Sequence, residues 1–398
     1  LVTGPDIIFF WVARMIMAGF RWQGQLPFKN VYFNNIIRDK KGRKLSKSLN
    51  NSPDPLDLID KFGADGVRFG LMRIAPSGSD VRYDEDQIVE GRNFATKLWN
   101  ATRYRQMQGE ATAESAAPSV YAIDILAKLD QLEKNLETSY ADYKFNEVAH
   151  LLYEFWWNQY CDWYLESIKG DFADDADPAA KAATLATMDK VLERYLQLLH
   201  PYMPHITEEL WEIFGFGEGH DQQFLMNTPM PTASVLEGID AAAVASAQGQ
   251  ASAVFEAVGR ARNLKAEYGL GASRDVKFIL DPADADFSEA TVFAKLSGAK
   301  EIDIQPGYEA TKGVPAAITA IGKVYLPLDG LIDVDAERER LSKELEKVEK
   351  EQKKVSAKLT NEKFMTNAPE NVIEEMRERQ GAWNERAGQL KEMIEQLG

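Results

Sequence analysis

The spacing of apolar residues divides the 398 residues of the chain into four blocks. In residues 1–79, short apolar runs alternate with helical patterns, which is typical of a parallel α/β unit. Residues 80–235 follow the 3.6-residue period of amphipathic helices, which predicts a helical bundle. Its helices are predicted at 91–108, 123–140, 145–169, 180–199 and 207–214.

The third block, residues 236–332, combines helical and strand periods. A helix is predicted at 251–267, and strands are predicted at 276–280, 301–304 and 323–327. This mixture predicts a small α+β module. The expected fold of the chain is therefore multidomain and mainly α.

The last block, residues 333–398, has the apolar seam of a coiled coil. Seam positions recur at spacings of three and four from Val334 to Leu359 and again from Ile373 to Leu397. A short non-helical connector separates two seams of similar length, so an antiparallel hairpin with arms of about 40 Å is predicted. The alternative is one long helix that dimerises with another chain, and Pro369 disfavours it because proline breaks helices.

The composition is that of a folded globular protein, with 45% hydrophobic and 27% charged residues. Cys161 is the one cysteine and the four histidines are scattered, so neither a disulfide framework nor a zinc site is expected. The most apolar stretch, 7–20, contains Arg14 and is too short to span a membrane. A cytoplasmic protein is expected. Because the chain starts inside an apolar pattern without Met, we expect it to be the C-terminal part of a longer protein.

The clearest local signal for chemistry is the basic stretch 38–48, which reads RDKKGRKLSKS. It lacks the second glycine of a Walker A loop, so a P-loop is not predicted. A flexible loop carrying Lys44 and Lys47 could still place two cations on a triphosphate and stabilise charge as pyrophosphate leaves. The plain alternative is a solvated basic loop.

Several motifs along the chain resemble one family. KLSKS at 44–48, followed by Asn51, Asp54-Pro55 and GADGVRF at 63–69, closely resembles the second signature of class I aminoacyl-tRNA synthetases, usually written KMSKS. Leu45 replaces the usual Met and conserves volume. The opening stretch 3–16, TGPDIIFFWVARMI, resembles the valyl-tRNA synthetase family in particular.

The resemblance extends through the rest of the chain. The stretches 155–166 and 201–211 are similar to the anticodon-binding bundle of the valyl, isoleucyl and leucyl group, and the terminal hairpin is similar to the C-terminal arm of valyl enzymes. The first family signature, His-Ile-Gly-His, and the inserted editing domain are absent from the sequence. The chain is therefore expected to hold only part of an active site.

The resemblance implies a fold and an activity. Residues 1–79 would be the C-terminal half of a Rossmann-like nucleotide-binding fold, 80–235 an anticodon-binding domain, 236–332 the small module and 333–398 a tRNA-binding arm. The activity would be ligation of valine to tRNA(Val) through valyl-adenylate. ATP with Mg²⁺ would be the nucleotide substrate, no bound zinc or membrane contact is expected, and the protein would be a monomer.

The resemblance also implies roles for single residues. Lys44 and Lys47 would be catalytic, because they stabilise phosphate charge. The ATP-binding residues would be Lys47, Ser46, Ser48, Asn34, Asn35, Ile36, Ile37, Gly4 and Asp6, with the 34–37 backbone facing adenine and Asp6 near the ribose. Ile7 and Trp11, four apart on one predicted helical face, would wall the valine pocket. Read without the resemblance, these two are ordinary core residues.

In the bundle, the aromatic cluster from Tyr153 to Tyr164 suggests base stacking, but its helical spacing favours a core stripe. No base-contacting residue is therefore predicted. His200 and His205 bracket two prolines without a nearby cysteine. They are interpreted as part of a turn into a helix whose N-cap is Thr207.

The first arm of the predicted hairpin carries an outward cationic stripe. Its members recur at spacings of three and four: Arg340, Lys343, Lys347, Lys350, Lys354 and Lys358. A solvated coiled-coil face is the usual explanation of such a pattern. In a chain of net charge −16 that resembles a tRNA-binding family, contact with RNA phosphates is the favoured interpretation.

Two other functions remain open at this point. The chain could be a noncatalytic tRNA-binding module, or it could belong to the isoleucyl family. The opening motif and the lack of a Cys-rich terminal element argue against the isoleucyl family.

Overall fold

The computed structural model describes residues 1–75, 80–218, 224–230, 232–284, 287–311, 314–328, 331, 334–361 and 369–396. The described chain is mainly helical and divides into two compact units, Leu1–Gly249 and Gln250–Gly398. The finer division into four domains stays a prediction. Within the described part, no helix has the length and apolarity to cross a membrane.

The first unit begins with two short pairs of parallel strands. Strand β1 (Val2–Thr3) pairs with β2 (Tyr32–Phe33), and β3 (Ile37–Arg38) pairs with β4 (Val81–Arg82). Parallel pairing agrees with the α/β pattern of the sequence. Their connections contain helices α1 (Ala13–Ala18), α2 (Pro55–Phe62) and α3 (Ala64–Arg73).

Helix α3 packs closely against α4 (Glu85–Met107), and glycines permit the contact. A Cβ placed on Gly91 would lie 2.2 Å from the carbonyl oxygen of Gly66, which no side chain could tolerate. A Cβ on Gly70 would lie 2.8 Å from the carbonyl oxygen of Gln87. The crossing therefore depends on the absence of side chains at both points.

The helical bundle contains five further helical segments in chain order. They are α5 (Val120–Ala141), α6 (Phe145–Glu154), α7 (Leu165–Ser167), α8 (Pro178–Leu199) and α9 (Pro204–Ile213). A π-helical segment, Phe155–Tyr164, joins α6 to α7, so the predicted helix at 145–169 continues without a break as far as Ser167. The five predicted bundle helices are all present.

The aromatic cluster forms the core of this bundle. Trp156 is fully buried and stacks on both Tyr160 and Tyr195, with ring centroids 4.4 Å and 4.5 Å apart. The core interpretation of the cluster is confirmed for these rings.

The predicted N-cap at Thr207 is wrong. Helix α9 begins at Pro204, and the Thr207 hydroxyl lies inside it and donates to the Met203 carbonyl at 2.8 Å. The cap comes instead from Asp65 of α3, whose carboxylate accepts the backbone N–H groups of His205 (3.2 Å) and Ile206 (2.6 Å). A carboxylate from 140 positions away thus stabilises this helix end.

The second unit contains most of α10 (Ala241–Glu267) and a four-stranded sheet. Helix α10 starts well before the predicted 251, because 241–250 is alanine-rich and helix-forming but has no clear apolar stripe. The sheet order is β6 (Glu301–Ile304), β5 (Lys277–Pro282), β8 (Gly322–Tyr325) and β7 (Ala316–Thr319). All three predicted strands are present, whereas β7 and helix α11 (Ala290–Ser297) were not predicted.

The terminal helices α12 (Val334–Leu359) and α13 (Glu370–Gln396) pack against each other within the chain. Gln352 donates to Asn384 at 2.6 Å, and Gln380 donates to Ser356 at 2.8 Å, so later residues of one arm meet earlier residues of the other. The pairing of the two arms is therefore antiparallel.

The buried seam of the hairpin agrees with the predicted spacing except near its end. Its buried apolar residues include Leu341, Val348, Val355, Ala387 and Leu390, but Met393 is buried where the predicted seam position is Ile394, which is half-buried. The alternative of one long helix is wrong, because the two arms bury each other's seams. Most of the predicted connector, 362–368, lies outside the described residues, as do Leu397 and the side chain of Val334.

Replacing Asp65 with Ala should lower the free energy of unfolding by about 1–2 kcal/mol, since it removes the cap of α9. Asp65→Asn should cost less, because one amide oxygen can still accept a hydrogen bond. Urea and thermal unfolding of the 398-residue chain measure the effect. Asp60→Ala, which removes an exposed carboxylate from α2, is the control. Equal stability of the Asp65 and Asp60 variants would contradict the assigned cap.

Candidate nucleotide-binding loop and cationic surface

The basic loop leaves β3 and turns back on itself at residues 39–43. The Asp39 N–H donates to the Arg43 carbonyl, the Gly42 N–H donates to the Asp39 carbonyl, both at 2.8 Å, and Lys44 pairs with Arg38. Gly42 has φ +80°, a left-handed conformation that glycine adopts without strain. The loop tip is therefore a defined tight turn.

The Asp39 carboxylate holds this turn from inside. One oxygen accepts the backbone N–H groups of Lys41 (3.0 Å) and Arg43 (2.8 Å). The other accepts from the Arg43 guanidinium (2.8 Å) and from the Asn51 amide (3.1 Å). These donors, Asn51 foremost, hold the pKa of Asp39 well below its usual range, so the group is ionised at neutral pH.

The KLSKS signature follows directly, and Asn51 binds its backbone. The Ser46 N–H donates to the Asn51 amide oxygen at 2.9 Å, and the Asn51 NH₂ donates to the Lys44 carbonyl at 3.3 Å. The Ser46 hydroxyl accepts the Leu49 N–H at 3.3 Å and so caps the 3₁₀ turn Lys47–Leu49. The Ser48 hydroxyl lies 3.2 Å from that of Ser46.

Two predicted site residues meet in an ion pair. The Lys44 ammonium lies 2.8 Å from the Asp6 carboxylate, and both side chains are about half exposed. Hydrogen bonding to Lys44 lowers the pKa of Asp6 from its usual value. A Cβ on Gly4 would lie 2.7 Å from the Asp6 carboxylate, so Gly4 leaves room for it. Lys47 is described in its backbone but not in its side chain.

The strand ends predicted to face adenine border a cavity of about 370 Å³. Asn34, Asn35 and Ile37 line it. Some backbone groups of this segment already form hydrogen bonds with other parts of the chain. The Asn34 N–H donates to the Thr3 carbonyl, and the Ile36 and Ile37 carbonyls accept from Val81 and Leu45.

The predicted shared helical face of Ile7 and Trp11 rests on a regular α-helix, and that premise is wrong. Ile7 ends a 3₁₀ turn (Pro5–Ile7), whereas Trp11 lies in a π-helical turn (Ile8–Val12). Their side chains are 39% and 45% exposed, so they are not core residues either. Their place in a valine pocket stays a prediction.

All six members of the cationic stripe are exposed on α12, as predicted. Arg340, Lys343 and Lys354 each have an ion pair with a glutamate of the same helix. Two acids of α12 also pair with the second arm: Glu344, which is the partner of Arg340, pairs with Arg386 at 2.7 Å, and Glu349 pairs with Lys391 at 3.0 Å. The outward face is therefore predominantly, but not purely, cationic.

Sequence reasoning missed the functions of Asp39 and Asp65 and assigned no role to Asn51. A local signal existed for Asp39, because Asp at the start of a four-residue turn with Gly at its fourth position is typical of turns. No local signal indicates that Asp65 caps a helix more than a hundred residues later. Across the described residues, no group of three or more metal-ligating side chains comes together.

Comparison with known families divides the chain into three matched regions. Residues 1–84 match the class I tRNA synthetases (I, L, M and V), and residues 123–280 match the anticodon-binding domain of tRNA ligase. Residues 333–398 match the valyl tRNA synthetase tRNA binding arm. The last match begins at the predicted boundary of the hairpin.

Curated relatives align over nearly the whole chain. The valine–tRNA ligase of Chlorobaculum tepidum is 36% identical over 95% of this chain and 43% of that protein. The ligase of Bacteroides thetaiotaomicron is 36% identical over 100% and 44%, and that of Brucella suis is 39% identical over 95% and 42%. The chain thus spans less than half the length of these relatives.

A solved structure, a LeuRS from Agrobacterium radiobacter K84 in a ternary complex with tRNA and LeuAMS, is 20% identical with a TM-score of 0.44. It covers 58% of this chain and 28% of that chain. The three matched regions and the identities above, rather than this distant likeness, favour the valyl over the isoleucyl assignment. Over nearly its whole length the chain is therefore similar to valine–tRNA ligases, and its matched regions are those of class I tRNA synthetases and of the valyl tRNA binding arm.

Proposed function

We propose that this chain is the C-terminal part of an enzyme that activates valine with ATP and transfers it to tRNA(Val). The observation that carries the proposal is the KLSKS loop. Asn51 accepts the Ser46 N–H and donates to the Lys44 carbonyl, and Lys44 contacts Asp6 of the opening motif. Two sequence segments with family resemblance thus meet at one place.

The finer architecture follows the same proposal. Residues 1–79 form the C-terminal half of a Rossmann-like nucleotide-binding fold, and the parallel strand pairs support this. Residues 80–235 form an anticodon-binding domain, 236–332 a small module and 333–398 a tRNA-binding arm. The arm is supported by the antiparallel pairing of α12 with α13.

The proposed chemistry at the loop is electrostatic. Lys44 and Lys47 stabilise the negative charge on the phosphates as pyrophosphate leaves, and Ser46 and Ser48 lie beside them. Lys44 exchanges its Asp6 partner for phosphate oxygens, which leaves the Asp6 carboxylate free to accept hydrogen bonds from ribose hydroxyls. Mg²⁺ arrives with ATP as the substrate complex, so few protein ligands are needed to hold it.

The amino-acid side of the site is proposed to lie at the opening motif. Ile7 and Trp11 present apolar surface there, and valine is a small apolar substrate. The partly exposed side chains of both residues are available to contact it. A monomeric, cytoplasmic enzyme stays a prediction.

The hairpin is proposed to bind tRNA through its phosphates. The cationic stripe lies on the exposed side of α12; Glu349 pairs with Lys391 of the second arm, whereas Glu344 pairs with both Arg386 and the stripe residue Arg340. Lysines that can reach a phosphate release counterions when they bind it, which favours binding to RNA even for a chain of net charge −16.

The second candidate function is tRNA binding without catalysis. The chain by itself is expected to bind tRNA but not to catalyse valine-dependent exchange of pyrophosphate into ATP. The reason is that it aligns with less than half of the length of its relatives. Exchange assays on the 398-residue chain and on the longer enzyme separate the two cases. Robust exchange by the chain alone would overturn this expectation.

In the full-length enzyme, Lys47→Ala should slow pyrophosphate exchange about 100-fold, because one preorganised cation is lost from the departing phosphates. Affinity for tRNA should stay nearly unchanged, since the stripe is untouched. Lys41→Ala, which removes an exposed lysine from the loop tip, is the matched control and should have little effect. Equal losses in both variants would mean that only the net charge of the loop matters.

Replacing Lys347, Lys350 and Lys354 together with Gln should weaken tRNA binding and preserve the helix, because Gln is a good helix former. If all three contact phosphates, the slope of log affinity against log salt should fall in magnitude by about 2 to 3. The rate of valyl-adenylate formation should not change.

The control for this experiment removes three lysines from the sheet module. Lys277, Lys300 and Lys323 lie on or beside its strands and are exposed. Their replacement with Gln changes the net charge equally. A stripe variant that binds tRNA as tightly as its parent across the salt titration would show that the stripe is a solvated face.

A further inference from the structure

The Asn51 side chain is the point where the two halves of the basic loop meet. Its amide oxygen accepts the Ser46 N–H, and its NH₂ group donates to the Lys44 carbonyl and to the Asp39 carboxylate. These contacts hold the backbone on both sides of Leu45. The Asn51 side-chain amide therefore fixes the backbone direction from Lys44 to Ser46, just before Lys47.

Asp39 holds the Asn51 amide in a fixed position. Its carboxylate is held in the tip turn by two backbone N–H groups and by the Arg43 guanidinium. The ionised carboxylate can only accept hydrogen bonds, and its donors hold the pKa of Asp39 well below its usual range. The tip turn and the signature are thus joined by one hydrogen bond of 3.1 Å.

The backbone beside Asn51 is strained in a way that serves this contact. Asn50 has φ +47°, which non-glycine residues adopt rarely and asparagine more readily than most. The left-handed residue reverses the chain after the turn Lys47–Leu49, and Asn51 then faces back toward Ser46. Strain of this kind persists only where surrounding contacts over-determine it.

We propose that Asp39 and Asn51 are positioning residues that hold Lys44 and the start of the Lys47–Leu49 turn in the geometry needed to meet the triphosphate. Neither side chain carries a cation, so they act through the lysines. This inference rests on the proposed function, since it names residues that prepare the same loop. Preorganised charge stabilises a transition state more than charge that must first be ordered.

Four variants and a control test the proposal in the full-length enzyme. Asn51→Ala removes all three contacts of this side chain. Asn51→Asp keeps an oxygen that accepts the Ser46 N–H but places a second carboxylate beside Asp39. Asp39→Asn replaces the charged partner of Asn51 with a neutral amide. The double variant Asp39→Asn/Asn51→Asp restores one amide–carboxylate pair. The control Ser52→Ala removes a hydroxyl that donates to the neighbouring Pro53 carbonyl at 3.5 Å.

Each single variant should lower kcat for valine-dependent pyrophosphate exchange by about 10- to 100-fold, the cost of misplacing a catalytic group. The KM for valine should change less than kcat, because the removed contacts lie at the loop backbone and not at Ile7 or Trp11. The swapped double variant should recover part of the loss, so its effect should be smaller than the sum of the single effects in free energy. Ser52→Ala should match the parent.

Two measurements separate positioning from general damage to the fold. The melting temperature should change little in all variants, and the Ser46 amide of the 398-residue chain should exchange its hydrogen faster in Asn51→Ala than in the parent. An unfolded Asn51→Ala variant would shift the test to the isosteric Asp39→Asn and the swapped pair.

Lys47→Ala, assayed alongside, distinguishes failure of the positioning role from failure of the proposed function of the loop. If Lys47→Ala leaves exchange intact, the proposed function of the loop fails. If Lys47→Ala abolishes exchange while the Asp39 and Asn51 variants keep the parental kcat, or if the swap shows no recovery, the positioning role is overturned and the proposed function stands.

Discussion

The first unit depends on the way helix α3 is joined to the bundle. Its Asp65 carboxylate is buried and binds the first N–H groups of α9, and its glycines let α4 approach to backbone distance. A carboxylate at a helix N-terminus satisfies donors that would otherwise face the interior unpaired. Because α3 follows the basic loop in the chain and contacts both α4 and α9, this joint holds the loop-bearing segment against the bundle.

Charge is distributed unevenly in this acidic protein. The net charge of −16 would repel a polyanion at long range, yet two basic segments face outward at the loop and on α12. On the hairpin, interhelical ion pairs bring Glu344 and Glu349 toward the second arm. The same acids thus stabilise the pairing of the arms, and Glu344 also pairs with Arg340 of the outer face. Such local segregation allows a specific contact with RNA without general affinity for polyanions.

The basic loop is ordered by its polar side chains rather than by apolar packing. Lysine, serine and glycine in series suggest a mobile segment, and only the carboxylate of Asp39 and the amide of Asn51 give it one backbone geometry. Polar contacts suit the proposed phosphate-binding site, because buried apolar groups there would exclude the phosphates. The contact of Lys44 with Asp6 adds a partner that a phosphate could replace.

The sequence by itself determined what repeats at short range: the bundle helices, three strands of the sheet, the hairpin seam and the signature motifs. These features can be recognised in the sequence because burial of one face imposes a period of two residues on a strand, three and a half on a coiled coil and 3.6 on a helix. Only the tertiary structure decided that Asp65 caps α9, that Asn51 binds Asp39, and that Ile7 and Trp11 lie in irregular helical turns. Polar contacts between distant residues leave no period in the sequence, since each requires two single positions and a folded backbone that brings them together.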